Sequence, residues 1–182
     1  MKLIITAFLM ITNVYSAEVK MKNFVMDKKY FSCKIPTTWT AQRNKESDNK
    51  NKIFKLVLIS TEDTKTSITL KYYHPSSKKD YKSFIDIQSK ASDGSYETAT
   101  EKYEEPKDIE VNIRKAVEIN RELKDFESIE ATASNSYWLK EKIIVIPAKK
   151  GFYTISYSSK KENFDKNINI FNSIVASFKT LY

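Results

Sequence analysis

Apolar and polar positions alternate with a period of two over most of this chain, and a helical period takes over in two places. Val19 to Asp27 reads as a first strand, with Met21 and Val25 among its apolar positions. In Tyr30 to Ile35, Phe31, Cys33 and Ile35 point one way while Ser32 and Lys34 point the other. Pro36 ends that strand, and Trp39 follows it. Gln42 to Lys52 is polar, highly charged and without period, which predicts an exposed loop. Ile53 to Ser60 has Phe54, Leu56 and Leu58 on one side and Val57 and Ile59 on the other, so it predicts an inner strand covered on both faces. Ser67 to His74 pairs with it through a turn over 61–66, setting Ile68, Leu70 and Tyr72 against Thr69, Lys71 and Tyr73.

A helix is predicted next. Ser77 and Asp80 have the spacing of a capping box, and Tyr81, Phe84, Ile85 and Gln88 fall at helical intervals to about Ala91, before Gly94. Ile109, Val111, Ile113, Val117 and Ile119 share one parity and predict two short strands or one bent strand. Tyr137 to Ile146 and Phe152 to Ser158 make the clearest hairpin, with Tyr153, Ile155 and Tyr157 on one side. Ser159 and Glu162 then form a second capping box, followed by an apolar stripe through Phe164, Ile168, Phe171, Ile174, Val175 and Phe178. Drawn from Lys161 to Lys179, this helix would be about 28 Å long, enough to cross a sheet. Its lysines are few and scattered, which favours packing over membrane binding. Strands in succession, an internal helix, a hairpin and a closing helix describe an α+β sandwich whose strands are mainly antiparallel.

The N-terminus changes the picture of where such a fold works. Residues 1–17 read as a signal peptide: Lys2 supplies a positive start, Leu3 to Thr12 is apolar apart from its threonines, and small residues follow at Ser16 and Ala17. The run is shorter than the roughly 20 residues of a membrane span. Residues 18–182 are then expected to form a single exported domain without a stable membrane anchor, periplasmic or extracellular, with cleavage after Ser16 or after Ala17. Cys33 lies too far along to be the lipid-bearing first residue of a lipoprotein, and its alternation with Phe31 and Ile35 makes it a small core residue.

Charge and composition narrow the partners. The full chain has 182 residues and a net charge of +8, and 28 of its 31 basic residues are lysine. Nucleic-acid readers rely on arginine for bidentate contacts, so a nucleic-acid partner is not expected. Residues 18–60 carry a net +6, 61–134 carry −4 and 135–182 carry +5. The two basic ends would form one basic face if they meet in space, where a solvated surface is the plainer expectation.

The pattern Phe31, Ile35, Pro36, Trp39 resembles the opening strand of the PsbP-like superfamily, which includes DcrB-type periplasmic proteins. The stretch from Gly151 to Tyr157, with a helix closing on Ile174 to Phe178, is similar to that family's last strand and helix. The resemblance spans roughly residues 20–180 and rests on packing signatures. It implies an α/β/α sandwich, with an antiparallel sheet between helices, and mostly non-enzymatic roles as binding modules, assembly factors or chaperones. The calcium- and manganese-related roles of the plant members do not carry over, because no matching ligand positions occur.

The chemistry of the side chains agrees with that direction. His74 is the sole histidine and precedes Pro75 at a strand end, so it reads as a turn residue more readily than as a general base. One histidine and one cysteine cannot complete a zinc shell. Glu101, Glu104, Glu105, Asp108 and Glu110 lack the spacing and turn glycine of a calcium loop, so a solvated acidic segment over 97–110 is the better reading. No catalytic, cofactor-binding or metal-binding residues are assigned, and no cofactor is expected. The expected function is non-enzymatic binding or assembly through protein contacts, with a protein partner in the envelope or outside the cell. A periplasmic chaperone that shields apolar segments is the second reading, and a hydrolase using His74 the third.

Overall fold

A computed structural model describes residues 19–127 and 135–181. The expected leader, residues 1–17, lies outside the described residues. The elements follow in the order β1 (Met21–Val25), β2 (Phe31–Pro36), β3 (Thr40–Gln42), α1 (Lys45–Asn51), β4 (Ile53–Ile59), β5 (Ser67–Tyr73) and α2 (Tyr81–Gln88). After these come β6 (Glu101–Tyr103), β7 (Lys107–Val111), β8 (Arg114–Phe126), β9 (Ser136–Pro147), β10 (Phe152–Lys160), α3 (Phe164–Ser177) and β11 (Lys179–Thr180).

An antiparallel sheet runs in the order β3-β4-β5-β10-β9-β8-β6, with β7 also paired to β8. A smaller sheet runs β1-β2-β11. One face of the large sheet is built from Phe54, Leu56, Leu58, Ile68, Leu70, Tyr153, Ile155 and Tyr157, all buried. It packs against β2 and against Phe164, Phe171 and Ile174 of α3. The other face packs Tyr73, Ile119, Ile143, Val145 and Phe152 under Tyr81, Phe84 and Ile85 of α2. The expected architecture, an antiparallel sheet between helices, is the one observed.

Three elements differ from expectation for local reasons. The stretch 42–52 is a helix as well as a charged surface: Asn44 caps it through Ser47 N–H at 2.9 Å, and its one buried side chain is Asp48. Asp48 accepts from Lys55 N–H and from Arg43, so a carboxylate anchors the helix where periodicity looks for apolar residues. Both expected capping boxes also give way. Asp80, in place of Ser77, caps α2 by accepting from Ser83 N–H at 2.8 Å, while 75–77 forms a 3₁₀ turn. Ser159 is fully buried, with its hydroxyl 2.7 Å from that of Thr66, and a 3₁₀ turn over 161–163 precedes α3. The α-helix therefore spans 14 residues, about 21 Å.

The shared parity from Ile109 to Ile119 does not mark one face. Val111 pairs with Arg114 across a two-residue turn of Asn112 and Ile113, both at positive φ, and such a turn exchanges odd and even positions. Val111 therefore joins the core under α3, Val117 and Ile119 join the α2 side, and Ile113 is exposed at the tip. β4 is covered fully on its even side only; Ile53, Val57 and Ile59 are half-buried and Lys55 is exposed.

At the β9–β10 turn Gly151 adopts φ +76°, and a Cβ there would overlap the Tyr73 carbonyl oxygen. Gly94, at φ +85°, has open space around the same position. Gly151→Ala is therefore expected to cost roughly 2 kcal/mol or more, and Gly94→Ala about 1 kcal/mol. Urea unfolding of the two variants side by side measures the difference.

Candidate functional site

Two concave surfaces arise from this arrangement. The first lies where α2 covers only part of its sheet face. The sheet register lines up transverse rows of side chains on that face. Ile53, Tyr73 and Phe152 form the row nearest α2, and Tyr73 and Phe152 stack with centroids 4.4 Å apart. The next row is Lys55, Lys71 and Thr154, followed by Val57, Thr69, Ser156 and Ile143. Ile59, Ser67, Ser158, Glu141 and Arg121 come after. α2 anchors itself on the aromatic row through Phe84 and Tyr81, whose rings lie 5.4 and 5.9 Å from that of Phe152. It leaves a groove of about 710 Å³ floored by hydroxyls and Lys71.

The electrostatics of this floor are uneven. Arg121 and Glu141 satisfy each other, with both Nε and Nη2 2.6 Å from Glu141 Oε2. The Lys71 side chain is half-buried, and its ammonium forms no hydrogen bond or ion pair with another described residue. Burial, with Lys55 directly across the strand pair, pushes its ammonium below the usual lysine range; Glu141 opposes the shift and Arg121 adds to it. Asp80 is at the rim, held low by the hydrogen bonds from Ser83 that cap α2.

The second surface is a shallower groove of about 1000 Å³ along β1, between the small sheet and the C-terminal end of α3. Met21, Phe24 and Ala176 give it apolar patches, and Lys20, Lys34 and Lys179 are exposed around it. No described lining residue is acidic. β11 pairs with β2 through Lys179–Ser32 and Thr180–Phe31, which brings the two basic ends of the chain together. Cys33 forms part of the wall, and burial pushes its thiol up to about 12, so the thiolate is suppressed.

The residues weighed from sequence for chemistry stand elsewhere. His74 caps the 3₁₀ turn, its Nδ1 accepting from Ser76 N–H at 3.1 Å, and its ring meets Tyr72 edge-on. Glu104 bonds Lys107 and Asn120, and Glu101 accepts from the Tyr103 hydroxyl. Among the described residues, no group of three or more His, Cys, Asp or Glu side chains is placed to hold a metal ion. Sequence reasoning missed the groove under α2. Its signal was present in the polar parity of Ser67, Thr69 and Lys71 against Thr154, Ser156 and Ser158, but only the β5–β10 register joins them.

No protein-family model and no curated protein matches the chain. Solved structures do match it. The solution structure of cyanobacterial PsbP (CyanoP) from Synechocystis sp. PCC 6803 is similar with a TM-score of 0.58 at 11% identity, over 91% of this chain and 95% of that one. The yeast Ran-binding protein Mog1p from Saccharomyces cerevisiae has a TM-score of 0.50 at 8% identity, over 90% and 96%. A Bacteroides thetaiotaomicron protein reaches 0.52 at 9% identity, over 88% of this chain and 48% of its own. The chain has the PsbP-like fold.

The state of Lys71 has a measurable consequence. The folded chain holds that proton less tightly than the unfolded chain, so Lys71 subtracts stability at neutral pH. The penalty fades as pH rises from the lowered folded value to the ordinary lysine range. Lys71→Met is expected to stabilise the protein at pH 7, with the gain shrinking towards zero near pH 10.5. Urea midpoints at several pH values, compared with wild type, provide the check.

Proposed function

We propose that the chain is an exported, non-enzymatic binding domain that acts through protein contacts in the cell envelope or outside the cell. The observation that carries this reading is the groove along β1, where Lys20, Lys34 and Lys179 converge without an acidic neighbour in the lining. Surface lysines around apolar patches suit a partner with acidic and apolar side chains, because charge guides encounter while apolar contact holds the complex. β1 is also the last strand of its sheet among the described residues, so its outer edge offers backbone groups to an extended segment. Mog1p, described as a Ran-binding protein, lends the reading a precedent for protein contacts on this fold.

Export rests on residues 1–17 and predicts a processed N-terminus at Ala17 or Glu18. A chaperone that shields apolar segments would want a continuous apolar trough, whereas the groove under α2 sets hydroxyls and Lys71 among Ile53 and Ile143, and lysines interrupt the apolar patches along β1. The hydrolase reading needs partners for His74 that the turn geometry does not bring to it.

The test uses the full chain expressed with its own leader and a C-terminal tag. Capture from the exported fraction is expected to retain a specific acidic protein. The triple variant Lys20→Glu, Lys34→Glu, Lys179→Glu is expected to bind it about tenfold or more weakly, and binding should also fall with added salt. Equal retention by wild type and the triple variant overturns the proposal. So does an unprocessed N-terminus in the cytoplasm.

A further inference from the structure

The groove under α2 is separate from the β1 surface and has a different chemistry. Three features define it. Lys71 rises from the middle of the sheet, half-buried, its ammonium with no hydrogen bond or ion pair to another described residue. Thr154 pairs directly with Lys71, Thr69 and Ser156 stand two positions along the register, and Ser158 stands four positions along. The wall opposite sets two apolar side chains among Asp80, Ser83 and Gln88: Phe84 is anchored, but Ile87 on the same helix is 67% exposed above the groove.

A cation in the interior of a sheet face has a cost unless it meets an anion. The nearby carboxylate, Glu141, is committed to Arg121 at 2.6 Å, and Asp80 is committed to the α2 cap. The groove lining therefore carries an excess of positive charge, with Lys78 and Lys79 adding to it at the rim. We propose that this groove binds a compact amphiphilic carboxylate, its carboxylate on Lys71 and the neighbouring hydroxyls and its apolar body under Phe84 and Ile87. The assignment is independent of the protein-contact surface along β1.

Size and charge choose this ligand over others. A volume of about 710 Å³ falls in the range of small-molecule sites. The wall is a helix of eight residues, about 12 Å long, which encloses a short molecule. Lys71 is the ammonium on the groove floor, with Lys78 and Lys79 only at the rim, and suits a monoanionic head; the arginine fork that favours bidentate phosphate is not on offer, since Arg121 is already paired. The groove floor is the interior of a sheet, where backbone groups are already bonded, so an extended peptide finds no strand to extend.

Decanoate is the probe, with decanol and acetate as matched halves of it. Titrated into the ¹⁵N-labelled full chain, decanoate is expected to shift amide signals of Thr69, Lys71, Thr154, Ser156 and α2. Decanol and acetate should each bind about tenfold or more weakly, as the loss of a charged hydrogen bond or of the apolar body predicts. Lys71→Met should weaken decanoate about tenfold while the fold stays intact by urea midpoint, and Ile87→Asp should weaken it without touching Lys71. The proposal is overturned if decanoate leaves these signals unmoved, if Lys71→Met binds it as well as wild type, or if its shifts map to β1. Preferential filling of the groove by an acidic peptide overturns it as well. Loss of the β1 partner in the triple lysine variant leaves decanoate binding unchanged, so the two sites fail separately.

Discussion

The fold depends on three tyrosines buried on one face of the large sheet, each of which must place a hydroxyl where no water reaches. Tyr72 on β5 and Tyr153 and Tyr157 on β10 are fully buried. A buried hydroxyl without a partner is costly, so each ring also fixes a piece of backbone. Tyr72 donates to the Lys150 carbonyl in the β9–β10 turn at 2.8 Å. Tyr153 donates to the Tyr30 carbonyl ahead of β2 at 3.0 Å, and Tyr157 to the Phe164 carbonyl at the start of α3 at 2.7 Å. Three covering segments, distant in sequence, are thus tied to two neighbouring strands. Tyr72 and Tyr153 meet at a tilt, Tyr30 lies tilted against Tyr72, Phe31 and Phe178 meet Tyr153 edge-on, and Tyr157 meets Phe164 and Phe171, so apolar burial and hydrogen bonding point to one arrangement.

That commitment explains the asymmetry of the other face. β2, β11 and α3 are all drawn to the tyrosine side, and α2 alone is left to cover the opposite one. Two turns of helix reach the aromatic row of Tyr73 and Phe152 and end before the rows of Lys71 and Thr69. The side chains agree with this coverage: they are aromatic or aliphatic where α2 lies, and beyond it hydroxyl and charged residues of β5 and β10 run between Val57 and Ile59 on one side and Ile143 on the other. A sheet face that stays partly open must be polar or be filled by a ligand, and Ile87 above a polar floor shows both tendencies at one place.

Strand identity was legible wherever one face was fully buried, because alternation then has a clear sign; β2, β4, β5 and β10 all show it. α1 was hidden because its anchor is Asp48, and hydrophobic periodicity is blind to a helix held by a carboxylate. The caps were displaced because several candidate residues stood within one turn of each other. Asp80 beside Ser83 offered the stronger acceptor, and Ser159 was drawn into the core by Thr66. β11, of two residues, carries no pattern of its own; it exists because Phe178 is buried beside Phe31 and delivers the chain to β2. The groove was illegible for a different reason. Its residues come from strands about 80 positions apart, and only the pairing of Lys71 with Thr154 makes them neighbours.

The same long-range pairing gives meaning to the charge pattern along the chain. A basic–acidic–basic sequence would mix its charges if the segments folded independently. Instead β2–β11 pairing joins the first and last segments, while β6 and β7 carry acidic residues to the outer side of β8, at the far end of the large sheet. Beside these strands Glu97 pairs with Lys102 at 2.7 Å and Glu104 with Lys107 at 3.1 Å. Lys20, Lys34 and Lys179 have no such neighbours in the lining of their groove. Local pairing offsets part of the field of the acidic end, whereas the lysine cluster keeps its own, screened over about 8 Å at physiological salt. The result is an oriented surface: the charge segregation seen in the sequence becomes a positive field at the β1 groove, the property on which the proposed docking of an acidic partner rests.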